Sequence, residues 1–272
     1  NAAISACEKA ARWDCALQLL REMQEAELEP DAVTCNALLR ALGKDQRWER
    51  ALRLVRGMGA AALEPGVVTC SAAITACEGR QQWAWASQLL ATLPLEPNVV
   101  ACTALVNACG RGQQWRRALE VLGDMRARHL EANSVLYGAA IRACSISQQW
   151  QWALALLADM RRATLEPCVA AYSSAIDACE QRQHWELAVA LLAEAKGLGL
   201  QLDQQAYSAA ASACSAGLQW RLALLLVQEL RRAGHEPDAV ACSVEAAACE
   251  RGRQWARLLG PLRGLCAKGL GC

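Results

Sequence analysis

Phenylalanine is absent from the chain, and tyrosine and histidine occur three times each. A polypeptide of 272 residues with 54% apolar side chains must then build its core chiefly from alanine and leucine. That composition favours helices packed closely on small side chains. No apolar run approaches the roughly 20 residues that a membrane-spanning helix needs. No CxxC pair occurs among the 15 cysteines, so neither a zinc ribbon nor a thioredoxin-like motif is supported. His129, His184 and His235 fall singly at turns, without carboxylate or cysteine partners at ligand spacing. Glycine-rich phosphate loops and nucleophile motifs are missing as well. The expectation is a chain with no catalytic site, metal, cofactor, small-molecule substrate or membrane contact. Excess charge is also missing: 28 Lys and Arg against 27 Asp and Glu leave a net charge of +1. Nucleic-acid binders usually carry a basic surface, so the balance weighs against that class.

What is present is a repeat. Trp13, Trp48, Trp83, Trp115, Trp150, Trp185, Trp220 and Trp255 recur at intervals of 35 residues, except for one interval of 32 between Trp83 and Trp115. A period in this range marks an array of small supersecondary units. The units run approximately over 1–31 (partial), 32–66, 67–98 (short), 99–133, 134–168, 169–203, 204–238 and 239–272 (incomplete). The chain starts inside one repeat and stops short of completing another, which reads as a piece of a longer protein with any targeting segment elsewhere.

Residues 32–66 show the physics of one unit. Ala32 to about Gly43 reads as a helix, Lys44-Asp45-Gln46 as a turn, and Arg47 to Met58 as a second helix that Gly57, Gly59 and Pro65 end. Trp48, Ala51, Leu52, Val55 and Met58 form one apolar stripe at helical spacing. The stripe returns as Trp13, Ala16, Leu17, Leu20 and Met23, and as Trp150, Ala153, Leu154, Leu157 and Met160. Its spacing places the tryptophans with the core rather than on a base-stacking surface; Trp85 and Trp152 lie on another face. Hairpins of this size cannot bury their apolar faces alone, so they stack. The expected fold is all-α, an α-solenoid in which helical hairpins stack into a right-handed superhelix.

The cysteines follow the same register. Cys7, Cys77, Cys109, Cys144, Cys179, Cys214 and Cys249 share one position. Cys35, Cys70, Cys102 and Cys242 share another, which Tyr137, Tyr172 and Tyr207 fill elsewhere. A position that alternates between Cys and Tyr is a packing position, and free thiols imply a reducing compartment. In the short repeat the three missing residues come from the end of the second helix, which Pro94 stops early. A local change of superhelical pitch is expected there.

The unit Pro30-Asp31-Ala32-Val33-Thr34-Cys35-Asn36-Ala37-Leu38-Leu39 resembles the opening P-D-x-V-T-Y-N-x-L-I of the pentatricopeptide repeat. Asn1 to Lys9 resembles its continuation, and A-L-x-L-L-x-x-M its second half. Tetratricopeptide repeats fit less well, since no Gly-x2-Tyr follows the tryptophan. The tryptophan that opens the second helix departs from the usual family residue.

The resemblance implies single-stranded RNA bound along the first helices, about one base per repeat. It implies a role in a plastid or mitochondrion, in RNA processing, stabilisation or translation. Two residues of each repeat, the fifth and the last, would read the base. Asn1 with Asp31 implies U. Ser71 with Asn98 and Thr103 with Asn133 imply A. Ser173 with Asp203 and Ser208 with Asp238 imply G. Asn36 with Gly66 and Gly138 with Cys168 carry no clear assignment, and Ser243 holds the fifth position of the last repeat. The implied target is U-n-A-A-n-G-G, 5′ to 3′. The second residue would wedge against the base: Val33, Val68, Val100, Val135 and Val240, with Ala170 and Gln205 departing. Lys9, Lys44, Arg111 and Arg251 match a basic position for phosphates.

Residue chemistry leaves other roles open. Asp and Asn at the last position are good N-caps. Polar residues at the fifth are harder to explain, because alanine makes the better helix there. Glu29, Glu64, Glu96, Glu131, Glu166 and Glu236 form a row of negative charge that opposes RNA. The competing reading is a protein-interaction scaffold, since solenoids also present long surfaces to other proteins.

Overall fold

The computed structural model describes residues 2–251 apart from 11, 27–29, 46, 61–65, 79–81, 93–97, 129 and 131. Among the described residues there are fifteen α-helices and no strand. They are α1 (Ala2–Lys9), α2 (Trp13–Glu25), α3 (Ala32–Lys44), α4 (Trp48–Ala60), α5 (Val67–Glu78), α6 (Trp83–Thr92), α7 (Val99–Arg111), α8 (Trp115–Ala127), α9 (Ser134–Ile146), α10 (Trp150–Arg162), α11 (Val169–Gln181), α12 (Trp185–Gly197), α13 (Gln204–Ala216), α14 (Trp220–Arg232) and α15 (Ala239–Arg251). Odd-numbered helices are the first of each hairpin and even-numbered helices the second.

The chain divides into two compact units, Asn1–Ala143 and Cys144–Cys272. In the first, α1 packs on α3, α3 on α5 and α5 on α7, while α2, α4 and α6 each pack on the first helix that follows. In the second, α11 packs on α13 and α13 on α15, and α10, α12 and α14 lie against α11, α13 and α15. First helix on first helix, with a second helix filling each junction, is the nearest-neighbour packing of an α-solenoid.

The stripe on the second helices is buried as its spacing predicts. Ala51, Leu52, Val55 and Met58 are inside, as are Ala153, Leu157 and Met160. A fully buried aliphatic side chain contributes about 1.5–3 kcal/mol. The glycines do not stop α4, which runs through Gly57 and Gly59 to Ala60. Helical glycine costs only about 1 kcal/mol, less than burying Val55 and Met58 on the same helix gains. In the third repeat the described part of α6 has 10 residues against 13 in α4 and α8. Pro94 and the linker that would carry the change of pitch lie outside the described residues.

The cysteine register is core. Cys77, Cys109, Cys144, Cys179 and Cys214 are buried free thiols, and Cys249 is buried as well. Burial pushes Cys77, Cys109, Cys179 and Cys214 up to about 11 and Cys144 to about 12. These thiols stay protonated and unreactive at neutral pH.

The hairpin turn is built without glycine at its left-handed residue. Gln113, Gln148, Gln183 and Leu218 have φ of 57°, 57°, 59° and 62°. The next N–H in each case reaches back to the carbonyl of the cysteine register, as Gln114 to Cys109 (2.8 Å) and Gln219 to Cys214 (2.8 Å). That bond closes the helix end. Leu218 is 69% exposed, so it loses little packing on truncation. Leu218→Gly is expected to raise stability by about 0.5–1 kcal/mol; an unchanged or lower melting temperature counts against strain at this turn.

The seven described repeat tryptophans, Trp13 to Trp220, are half-buried rather than core, Trp152 is exposed, and Trp255 lies outside the described residues. Each of the seven opens its helix at the rim of the stripe, and the indoles of Trp13, Trp83, Trp150 and Trp185 reach the next hairpin's turn. A Cβ on Gly112 would stand 2.6 Å from Trp83 Cδ1, and one on Gly217 would collide with Trp185. Trp150 lies 4.3 Å from the His184 ring, Trp48 stacks on Trp85 at 6.5 Å, and Arg50 lies 4.3 Å over Trp13. Trp13, Trp48, Trp83, Trp150 and Trp185 thus join successive hairpins.

A second set of inter-hairpin contacts runs along the ends of the second helices. Arg126 donates to the Tyr137 hydroxyl. Arg161 donates to the Tyr172 hydroxyl (3.2 Å) and pairs with Glu194. Lys196 lies 4.9 Å over the Tyr207 ring and pairs with Glu229. Cys242 is too short to serve as the next tyrosine; Arg231 instead makes a two-pronged pair with Glu245 at 3.1 and 2.7 Å.

Candidate nucleic-acid interface

The second, fifth, ninth and thirteenth residues of a first helix lie at i, i+3, i+7 and i+11, along one stripe. The second residue is an exposed hydrophobe in five hairpins: Val33 62%, Val68 48%, Val100 62%, Val135 62% and Val240 48%. A solvent-facing valine is a poor helix former with nothing to bury it, so its recurrence marks a surface kept apolar. Ala170 and Gln205 take the place in α11 and α13 and are exposed too.

The last position caps the following helix wherever its side chain allows. Asp31 accepts the Thr34 N–H (2.7 Å), Asn98 that of Ala101 (2.8 Å), Asn133 that of Leu136 (2.9 Å), Asp203 that of Ala206 (3.0 Å) and Asp238 that of Ala241 (2.7 Å). Cys168 makes no such bond, and Gly66 has no side chain to offer.

The fifth position has structural partners that its sequence context did not suggest. Ser173, 5% exposed, donates to Asp203 Oδ1 (2.9 Å), and Ser208, 4% exposed, to Asp238 Oδ1 (3.1 Å). In these two hairpins the paired residues, thirty positions apart, meet on one oxygen. Asn36 Oδ1 accepts from the Thr69 hydroxyl (2.7 Å), and the Thr103 hydroxyl donates to the Val99 carbonyl (2.6 Å). Gly138 is buried, Ser243 is exposed, and Asn1 lies outside the described residues.

A cavity of about 480 Å³ in the first unit gathers several of these positions. Its walls are Val68, Ser71, Ala72 and Thr75 of α5, Asn98 and Val100 at the start of α7, and Arg40, Gly43 and Lys44 of α3. One fifth residue, one last residue, two exposed valines and a lysine of the basic row thus surround one space.

The pentatricopeptide repeat domain model matches residues 18–80, 90–146 and 121–182, and the PPR repeat model matches residues 1–28. The chain belongs to the pentatricopeptide repeat family. It is similar to the maize pentatricopeptide repeat protein PPR10, with 25% identity and a TM-score of 0.65 over 89% of this chain and 35% of that one. The crystal structure of PPR10 in complex with an 18-nt psaJ RNA element aligns at a TM-score of 0.81 and 18% identity, over 98% of this chain and 39% of that one. The PPR domain of Arabidopsis thaliana protein-only RNase P 1, in complex with tRNA, aligns at 0.55 and 13% identity over 59% of this chain and 84% of that domain. The chain spans less than two fifths of the length of PPR10. No curated protein matches it in sequence.

The basic row of this pentatricopeptide array is uneven. Lys9, Lys44, Arg111 and Arg251 are exposed. Arg251 donates to the Ser215 carbonyl, covering the end of α13. Of the acidic row, Glu166 and Glu236 are exposed and the other four residues lie outside the described ones. His184 packs on Trp150, the His235 ring is 3.2 Å from the Leu202 carbonyl, and His129 lies outside the described residues. Among the described residues no group of three His, Cys, Asp or Glu is placed to hold a metal, and no helix is long and apolar enough to cross a membrane.

Asp177, one turn beyond Ser173, accepts from Gln205 Nε2 at 2.7 Å. Burial first, then Glu180 and Asp203, push its carboxyl up to about 6, against the opposing bond from Gln205. Since the folded value exceeds the unfolded one, near 3.9, native stability from this group is fully present below pH 4 and is lost as pH rises through about 6. Asp177→Asn keeps an acceptor for Gln205 and removes the charge. It is expected to stabilise the fold at pH 7.5 by about 1 kcal/mol once partial exposure is allowed for, and to do nothing at pH 4. Thermal melts at both values check this; equal shifts at both rule out the charge as the cause.

Proposed function

We propose that this pentatricopeptide array is a non-catalytic, sequence-preferring binder of single-stranded RNA. The observation that carries the reading is the cavity lined by Lys44, Val68, Ser71, Asn98 and Val100. It supplies what one nucleotide needs: apolar surfaces for the faces of a base, hydrogen-bonding side chains for its edge, and a cation for its phosphate. The exposed valines repeat the apolar element along the first helices. The likeness to PPR10, whose crystal structure holds an 18-nt psaJ RNA element, and to the protein-only RNase P 1 domain in complex with tRNA supports the same class of ligand.

Bases are read by the fifth and last residues of each repeat: Asn1 with Asp31, Ser71 with Asn98, Thr103 with Asn133, Ser173 with Asp203 and Ser208 with Asp238. The cap made by each last residue fixes its carboxylate or amide at the ligand face, so capping and recognition act together. By family likeness the setting is a plastid or mitochondrion, and the task is the processing, stabilisation or translation of a transcript.

Fluorescence anisotropy with a labelled single strand carrying U-n-A-A-n-G-G, and with the same sequence in a duplex, tests the reading. The single strand is expected to bind, with affinity falling steeply as salt is added, and the duplex to bind far more weakly. Equal binding to both, or none to the single strand, overturns it.

A further inference from the structure

The ninth residue of each first helix completes the ligand-facing stripe. It stands one turn beyond the fifth and is Arg40, Thr75, Asn107, Arg142, Asp177, Ser212 or Ala247 from α3 to α15. Six of these seven are polar or charged; Arg40, Thr75 and Arg142 are exposed and the other four half-buried. Arg40 and Thr75 line the same cavity as Lys44, Ser71 and Asn98. One wall of that cavity therefore offers groups suited to a base, and the neighbouring helix offers two cations one turn apart.

A guanidinium and an ammonium at that spacing on one helix face suit the phosphate that accompanies a base. Arginine's planar fork can bond two phosphate oxygens while lysine acts as a point charge. We propose that Arg40 is a second phosphate-binding residue, acting with Lys44 on the nucleotide whose base sits between Val68 and Val100. The inference rests on the RNA-binding reading above and adds a position to it.

The rest of the row extends the assignment. In the first unit the ninth and thirteenth positions of α3 to α9 hold Arg40, Lys44, Arg111 and Arg142, and no acid. In the second unit the charged residues at the same positions are one acid, Asp177, and one cation, Arg251. The phosphate grip thus belongs to the first unit, and the Ser–Asp hairpins of the second work on bases with little neutralisation. A net charge of +1 over the chain conceals this local stripe of cations.

The test is the salt dependence of binding to a labelled single strand carrying U-n-A-A-n-G-G, for the full chain and for Arg40→Gln, Lys44→Gln, the double variant and Arg40→Lys. Each phosphate neutralised on a single strand contributes about 0.7 to the slope of log K against log salt. Arg40→Gln is expected to lower the slope by about 0.7, the double variant by about 1.4, and Arg40→Lys to restore it. Arg50→Gln, on α4 over Trp13, serves as a control and is expected to change nothing. An unchanged slope in Arg40→Gln beside a lowered one in Lys44→Gln overturns the assignment of Arg40 alone. Absence of binding by the unaltered chain at every salt concentration overturns the RNA-binding reading and this inference together.

Discussion

Replacing both Ser173 and Ser208 with asparagine is expected to move base preference from G towards U at two neighbouring positions of the bound strand. Each serine is buried and donates to the aspartate that caps the next helix. The hydroxyl therefore fixes one carboxylate oxygen, and in the proposed RNA-binding reading the combined group presents acceptors to a base edge. Asparagine replaces a hydroxyl with an amide that offers both donors and an acceptor. The first unit shows that asparagine fits the fifth position: Asn36 occupies it in α3 and accepts from Thr69. A change of hydrogen-bonding edge is worth roughly 1–3 kcal/mol per base, about tenfold or more in relative affinity. Competition between strands carrying G-G and U-U at these positions measures it. Circular dichroism melts keep the result interpretable, because asparagine is the larger side chain. Folded variants that keep the original preference reject base reading at the fifth residue.

Arg231→Met is expected to cost more stability than any other single change considered. Glu245 is 6% exposed, and both its oxygens are held by Arg231. Removing the arginine leaves a buried carboxylate with its desolvation uncompensated, which costs about 3–5 kcal/mol. Arg231→Met with Glu245→Leu removes both charges and is expected to recover most of the stability. Denaturant unfolding of the single and double variants decides the point. A single variant within about 1 kcal/mol of the parent, or a double variant no better than the single, would show that the pair acts like a surface ion pair.

The contrast between these two predictions reflects what could be read before the fold was known. The hairpins were legible because Ala51, Leu52, Val55 and Met58, and their equivalents, repeat at helical spacing. So was the cysteine register, because Cys109, Cys144 and Cys179 stand at one place in successive units. The caps at Asp31, Asn98 and Asn133 followed from residue type and position alone. The half-exposure of the tryptophans was not legible, since helical period cannot separate the middle of a buried stripe from its rim. Neither was the glycine-free turn at Leu218, where left-handed backbone is set by the bond that closes the helix. The Arg161–Tyr172–Glu194 group joins residues 11 and 33 apart, and such partners meet only after hairpins stack. Arg40 is legible by the same spacing: it lies four residues beyond Asn36, on the same face of the same helix.

The charge balance gains meaning from the same geometry. Glu166 and Glu236 stand at exposed turns, whereas Arg40 and Lys44 border the cavity that holds Ser71 and Asn98. Opposite charges that cancel over the whole chain need not cancel along one stripe.

Selection of a randomised single-stranded RNA pool on the purified array, at low and at moderate salt, tests RNA recognition along the first helices most directly. Enrichment of a motif close to U-n-A-A-n-G-G at both salt concentrations is the expected result. Absence of any enriched motif at either concentration would contradict it and would leave a helical-repeat surface whose partner is another protein.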